Sequence, residues 1–77
     1  MQLKIKYFGL LAEVTNCQEE YVNSSLSTVK DLLDMLHKKY PELKDKDFQI
    51  AQNNTIVALE NKLKNTEIAL LPPFSGG

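Results

Sequence analysis

The sequence has no arginine and no tryptophan, a single cysteine and only three glycines in seventy-seven residues. Each shortage closes a class of function. Phosphate and nucleic-acid surfaces rely on guanidinium forks and a clear positive excess. Here nine lysines meet ten carboxylates, the signs are interspersed and the net charge is −1, so no nucleic-acid partner is expected. Cys17 has no second cysteine to pair with, which fits a reducing cytosol. With Gly9, Gly76 and Gly77 the only glycines, there is no phosphate-cradling loop. Apolar runs stop at four residues; one of them, Ile68 to Leu71, meets two prolines and is far too short to cross a bilayer. Lys4 and Lys6 interrupt any signal-peptide core. The expectation is a soluble, cytoplasmic protein with no membrane partner.

The candidate chemical groups are as sparse. His37 is the only histidine, and no His/Cys cluster has metal-ligand spacing, so no metal site is expected. His37 reads as a helix-surface residue. Cys17 lacks flanking cations of the kind that make a reactive thiolate, and reads as a turn cysteine. No pair of carboxylates stands out as acid and base. A chain of this length is one domain that buries about 60% of its unfolded surface. That leaves room for a scaffold and one site, which favours a carrier or binding role over a self-sufficient enzyme.

Residues 2–8 alternate, with Leu3, Ile5 and Tyr7 on one face and Gln2, Lys4, Lys6 and Phe8 on the other, which predicts a half-buried strand. Gly9 breaks it, and Leu10 to Val14 can form a short helical turn. A second strand is expected over residues 18–23, with Tyr21 as its apolar anchor. Thr28 is placed to cap a helix, with Asp31 as its capping-box partner; Val29, Leu32, Leu33, Leu36 and Tyr40 then recur at helical spacing until Pro41 stops the run. Asn53-Asn54 suits a tight hairpin turn between residues 48–52 and 55–59, pairing Gln52 with Thr55, Ile50 with Val57 and Phe48 with Leu59. A last strand spans residues 67–71 and ends at Pro72. One amphipathic helix and about five strands predict a two-layer α+β domain, the helix covering one sheet face.

The end of the chain is the most informative segment. Given ordinary glycine usage, two terminal glycines arise by chance in about 0.5% of sequences. Pro72-Pro73 is expected to form an extended stalk, so that Phe74, Ser75, Gly76 and Gly77 project from the domain. Gly76 and Gly77 have no side chains and can thread a narrow channel, offering an unhindered carboxylate. A carboxylate is a poor electrophile until adenylated; once activated, it can be captured by sulfur or by an amine.

The opening strand Leu3-Lys4-Ile5-Lys6-Tyr7-Phe8, the helix start Thr28-Val29, Asn53, Leu63 and the closing run from Glu67 to Gly77 together resemble the small sulfur-carrier subunit of molybdopterin synthase, of the MoaD type, among the ubiquitin-like sulfur carriers. Pro-Pro, two residues, then Gly-Gly is the specific part. Gln52, where an apolar residue is usual, and Lys64-Asn65-Thr66, in place of an Asp-Gly-containing turn, depart from the pattern. The resemblance implies a ubiquitin-like β-grasp fold over residues 1–71 and a tail over residues 72–77. It further implies that an E1-like partner uses ATP to adenylate Gly77 and that a sulfur donor converts the product to a thiocarboxylate. The tail would then deliver sulfur to cyclic pyranopterin monophosphate in the large subunit of molybdopterin synthase. Catalytic side chains would sit on that large subunit, in a heterotetramer of two large and two small subunits, and this chain would hold no permanent cofactor. A thiamine-pathway sulfur carrier, usually shorter and without the prolines, and a ubiquitin-like modifier joined to lysines are the alternatives.

Strand parity adds an independent expectation. Phe8, Ile56 and Leu71 fall on outward positions of strands near the tail. With Phe74 they are expected to form an apolar surface that docks partners, with Pro72, Pro73 and Ser75 completing the partner-binding segment.

Overall fold

The computed structural model describes residues 2–23, 25–64 and 67–73. Alternation makes β1 (Gln2–Tyr7) a strand with one buried face, carrying Leu3, Ile5 and Tyr7. Gly9 then turns the chain at a positive φ of 58° into α1 (Leu10–Thr15), which ends on Asn16 in the left-handed conformation. Next, β2 (Glu19–Asn23) returns antiparallel to β1. Residues directly opposite share a face, and the register sets Tyr21 against Lys4, Glu20 against Ile5 and Val22 against Leu3. Tyr21 is therefore outward and 59% exposed, not the apolar anchor expected of it. The inward positions belong to Val22 and Glu20.

The helix α2 (Val29–Lys39) opens on the expected capping box: the Asp31 N–H donates to Thr28 Oγ1 and the Thr28 N–H to the Asp31 carboxylate, each at 3.2 Å. Val29, Leu32 and Leu36 are fully buried. Pro41 ends the helix and begins a short 3-10 segment, Pro41–Asp45, which plants Leu43 in the core. Then β3 (Gln49–Gln52) and β4 (Thr55–Ile56) form the expected hairpin, with Asn53 and Asn54 at φ 53° and 66°. Positive φ at both central residues matches the right-handed twist of the strands.

The hairpin is shorter than its apolar pattern predicts. The Val57 N–H still donates to the Ile50 carbonyl at 2.9 Å, but β4 stops at Ile56 and the pairing of Phe48 with Leu59 does not form. The carbonyls of Leu59 and Asn61 instead accept the N–H groups of Lys30 and Val29, both at 2.9 Å. Those donors belong to the first turn of α2 and have no partner within the helix. Gln52, the departure from the usual apolar residue, is 6% exposed and satisfied: its amide donates to the Lys62 carbonyl at 3.1 Å and accepts from the Lys64 N–H at 2.8 Å.

The final strand, β5 (Glu67–Leu71), lies between β1, to which it is parallel, and β3, to which it is antiparallel. The sheet order is β2-β1-β5-β3-β4. One face of this mixed sheet shares a core with α2, built from Leu3, Ile5, Tyr7, Ile50, Ile68 and Leu70 against Val29, Leu32 and Leu36, with Leu11, Leu43 and Leu63 closing its margins. At one edge of that core Glu20 accepts hydrogen bonds from the Tyr7 hydroxyl (2.6 Å), the Tyr40 hydroxyl (2.7 Å) and Lys39 Nζ (2.6 Å). Burial works against its carboxylate, but the three donors outweigh burial and hold Glu20 below the ordinary carboxylate range. Burial, then the hydrogen bond to Glu20 and then its charge push both tyrosine hydroxyls well above their ordinary value. No helix among the described residues is long and apolar enough to cross a membrane.

Candidate functional site

The candidate site is built where β5 leaves the sheet. Across the face turned away from α2, register aligns Lys6 of β1, Ala69 of β5, Ala51 of β3 and Ile56 of β4 in one row. The next row toward the tail places Leu71 opposite Gln49, and Phe8 beside β5, its N–H donating to the Leu70 carbonyl at 3.2 Å. Phe8 is 43% and Ile56 53% exposed, while Leu71 and Ala69 are half-buried. At about 4.8 Å per strand, Phe8 and Ile56 stand roughly 14 Å apart across the sheet. Between them Ala69 is half-buried and Ala51 only 6% exposed, so the exposed apolar area lies mainly on Phe8, Ile56 and Leu71. Parity alone had identified Phe8, Ile56 and Leu71. The two alanines were missed, although alanines at outward positions of a period-two pattern are a readable sign of a flat surface.

Pro72 is half-buried and Pro73 exposed. Strand geometry ends at Leu71 and Pro73 lies in a turn; most of the extended tail expected over residues 72–77 falls outside the described residues. Phe74, Ser75, Gly76 and Gly77, and the Asn65-Thr66 part of the unusual turn, lie outside the described residues. The polar rim of the surface is ion-paired: Lys6 Nζ is 3.5 Å from a Glu67 carboxylate oxygen, and Lys4 Nζ 3.6 Å from one of Glu19.

The remaining candidates are placed elsewhere. Cys17 is half-buried, with its thiol 3.7 Å from Thr15 Oγ1 and 4.0 Å from the Tyr40 hydroxyl. His37 is half-buried on α2, beside an open groove of about 680 Å³ lined also by Leu33, Phe48, Val57 and Leu59. Lys44, Lys46 and Asp47 also line this groove. No group of three or more His, Cys, Asp or Glu able to hold a metal ion occurs among the described residues.

Residues 5–77, all but the first few of the chain, match the ThiS family. The chain belongs to that family. Among curated proteins, a molybdopterin synthase sulfur carrier subunit from Mycobacterium tuberculosis is 32% identical, the match covering 100% of this chain and 99% of that protein. Of solved structures, the small archaeal modifier protein SAMP1 from Haloferax volcanii matches with a TM-score of 0.81 at 29% identity, over 100% of both chains. A chain from the complex of subunits 1 and 2 of the molybdopterin-converting factor of Helicobacter pylori matches with a TM-score of 0.72 at 25% identity, also over 100% of both. The fold is accordingly the ubiquitin-like β-grasp, with five strands and a main helix. This ThiS-family chain is a homologue of molybdopterin synthase sulfur carriers, and Gln52, one departure from the pattern, is satisfied by local hydrogen bonds.

Proposed function

We propose that this chain carries sulfur for molybdopterin synthesis as a thiocarboxylate on Gly77. The observation that carries the reading is the exposed apolar face of Phe8, Ile56 and half-buried Leu71 beside the strand from which the tail departs. A small domain gains nothing in stability from leaving such side chains in water, whereas a carrier must dock on an enzyme that activates its tail and on another that uses it. The likeness to the Mycobacterium tuberculosis carrier and to the Helicobacter pylori complex of two subunits supports a large synthase subunit as one partner.

In this cycle an E1-like enzyme joins the Gly77 carboxylate to AMP, releasing pyrophosphate from ATP. The outer sulfur of a cysteine persulfide on a donor, a sulfurtransferase or desulfurase, attacks the acyl carbon and displaces AMP to give an acyl disulfide. A thiol then cleaves its S–S bond, leaving a C-terminal thiocarboxylate and a new disulfide between that thiol and the donor cysteine. In the large subunit that sulfur passes to cyclic pyranopterin monophosphate, and hydrolysis returns the carboxylate. The chain itself supplies the docking face and a tail, with Gly76 and Gly77 slim enough for a channel, while catalytic side chains are the partners'.

Mass spectrometry of the intact chain, incubated with the activating enzyme, ATP and a sulfur donor, tests this directly. One oxygen exchanged for sulfur at Gly77 is expected; an unchanged mass under those conditions overturns the reading. The likeness to SAMP1 favours a second reading, a modifier whose activated C-terminus is captured by lysine amines. Isopeptide-linked adducts on a denaturing gel, instead of free thiocarboxylated chain, would select it.

A further inference from the structure

Gly9 and Pro72 stand where the two central parallel strands part. Tyr7 lies opposite Leu70, and the Phe8 N–H still donates to the Leu70 carbonyl at 3.2 Å. One step on, the chains diverge. Gly9 takes φ 58° and ψ −133°, a mirror-image extended conformation that residues with a Cβ rarely adopt, and sends the chain into α1. Pro72 has no N–H with which to continue the ladder and follows the end of β5. Its ring fills the space left by the missing side chain: a Cβ on Gly9 would lie 3.0 Å from Pro72 Cγ and 4.0 Å from Cδ. Carbon atoms rest at about 3.5–4.0 Å, so a methyl group at Gly9 displaces the ring. Because Cγ is tied back to the main chain, the ring cannot swing aside as a long side chain does. A change of ring pucker absorbs part of this shift, and the remainder moves the main chain.

We propose that Gly9 is a positioning residue for the C-terminal tail, setting through its contact with Pro72 the direction in which residues 73–77 leave the sheet. The inference rests on the reading of Gly77 as the activated group. A contact at 3.0 Å requires its neighbour to give by a few tenths of an ångström. Moving Pro72 by about 0.4 Å across one Cα–Cα step turns the chain by about 6°, which over a five-residue reach of at most about 17 Å carries the end by at most about 2 Å. The fixed φ of two successive prolines transmits that turn outward from the root. Errors near 1 Å at a reacting atom can cost on the order of 10²-fold in rate. Gly9 touches no reacting atom and acts only through Pro72.

The test is a double-mutant cycle of Gly9→Ala and Pro72→Ala, the second change removing the Cγ that the new methyl meets. Pyrophosphate release by an E1-like adenylating enzyme with ATP is followed for each chain, with chain concentration varied to separate kcat from KM, and thermal melting is recorded alongside. Gly9→Ala is expected to lower kcat by about tenfold or more with KM within about twofold, and to do so much less on the Pro72→Ala background. Equal losses on both backgrounds would mean that only the backbone conformation of Gly9 matters, and a loss confined to KM would mean docking; either result overturns the proposal. Should Gly9→Ala fold too poorly to assay, the native chain decides: nuclear Overhauser contacts between the Gly9 α-protons and the Pro72 ring are expected, and their absence overturns the proposal. A native chain that releases no pyrophosphate sinks the carrier reading instead. In that case, unchanged residual dipolar couplings of residues 73–77 between native and Gly9→Ala chains would overturn the tail-positioning role, and changed ones support it.

Discussion

Glu20 gathers three donors from two elements, Tyr7 on β1 and Lys39 and Tyr40 at the end of α2, and so ties the edge strand β2 to the helix. Its carboxylate is held below the ordinary value of 4.5, so the stabilisation is fully present above that pH and is lost as pH falls through the lower folded value. Glu20→Gln keeps the shape and removes the charge; hydrogen bonds to charged groups contribute about 1.5–3 kcal/mol, so a loss of about 2 kcal/mol at neutral pH is expected. Denaturant melts should show that difference vanishing under acid, and a gap that persists at pH 2 would mean that charge is not the cause. The tyrosines act at the other end of the scale: their hydroxyls are raised above 10.0, so their contribution holds below that pH and is lost as pH rises beyond it. None of this was legible in the sequence. Glu20 sits in a run of polar residues, and only the register against Ile5 turns it inward.

Elements with strong periodicity were legible, because burial on one side imposes the period. The first and last strands and α2 fall at the expected places, and the capping box is formed. Thr28→Ala removes the side-chain acceptor for the Asp31 N–H and should cost about 1 kcal/mol, read as a lower urea midpoint with unchanged slope. An unchanged midpoint would show that water replaces the cap without penalty. Where reading failed, the cause lay outside the element. The hairpin arm ends early because carbonyls at Leu59 and Asn61 are drawn to the first turn of α2, some 30 residues earlier in the chain. The face of Tyr21 is set by pairing with β1 and not by its own hydrophobicity. The outward positions of Phe8, Ile56 and Leu71 could be read from parity because they need only alternation; the seat of Pro72 against Gly9 could not, because it joins opposite ends of the sequence.

For the whole molecule, one sheet face holds the fold together through the core shared with α2, and the other carries the surface proposed for docking. Phe8→Asp or Ile56→Asp should therefore leave the melting temperature nearly unchanged, as surface substitutions usually do, while weakening affinity for the activating enzyme or the synthase large subunit by about tenfold or more. Calorimetric titration against each partner checks this, and intact binding by both variants with both partners would remove the docking role from this face. The central place of β5 bears on how the tail can be used. A partner that draws the tail into a channel pulls along the strand, and β5 is hydrogen-bonded on both sides, to β1 and to β3. The load is then shared by two ladders in shear, which must slip together, instead of being taken one bond at a time as when an edge strand is peeled. On the carrier reading proposed above, this arrangement suits a domain that is tethered by its tail, tugged and released repeatedly.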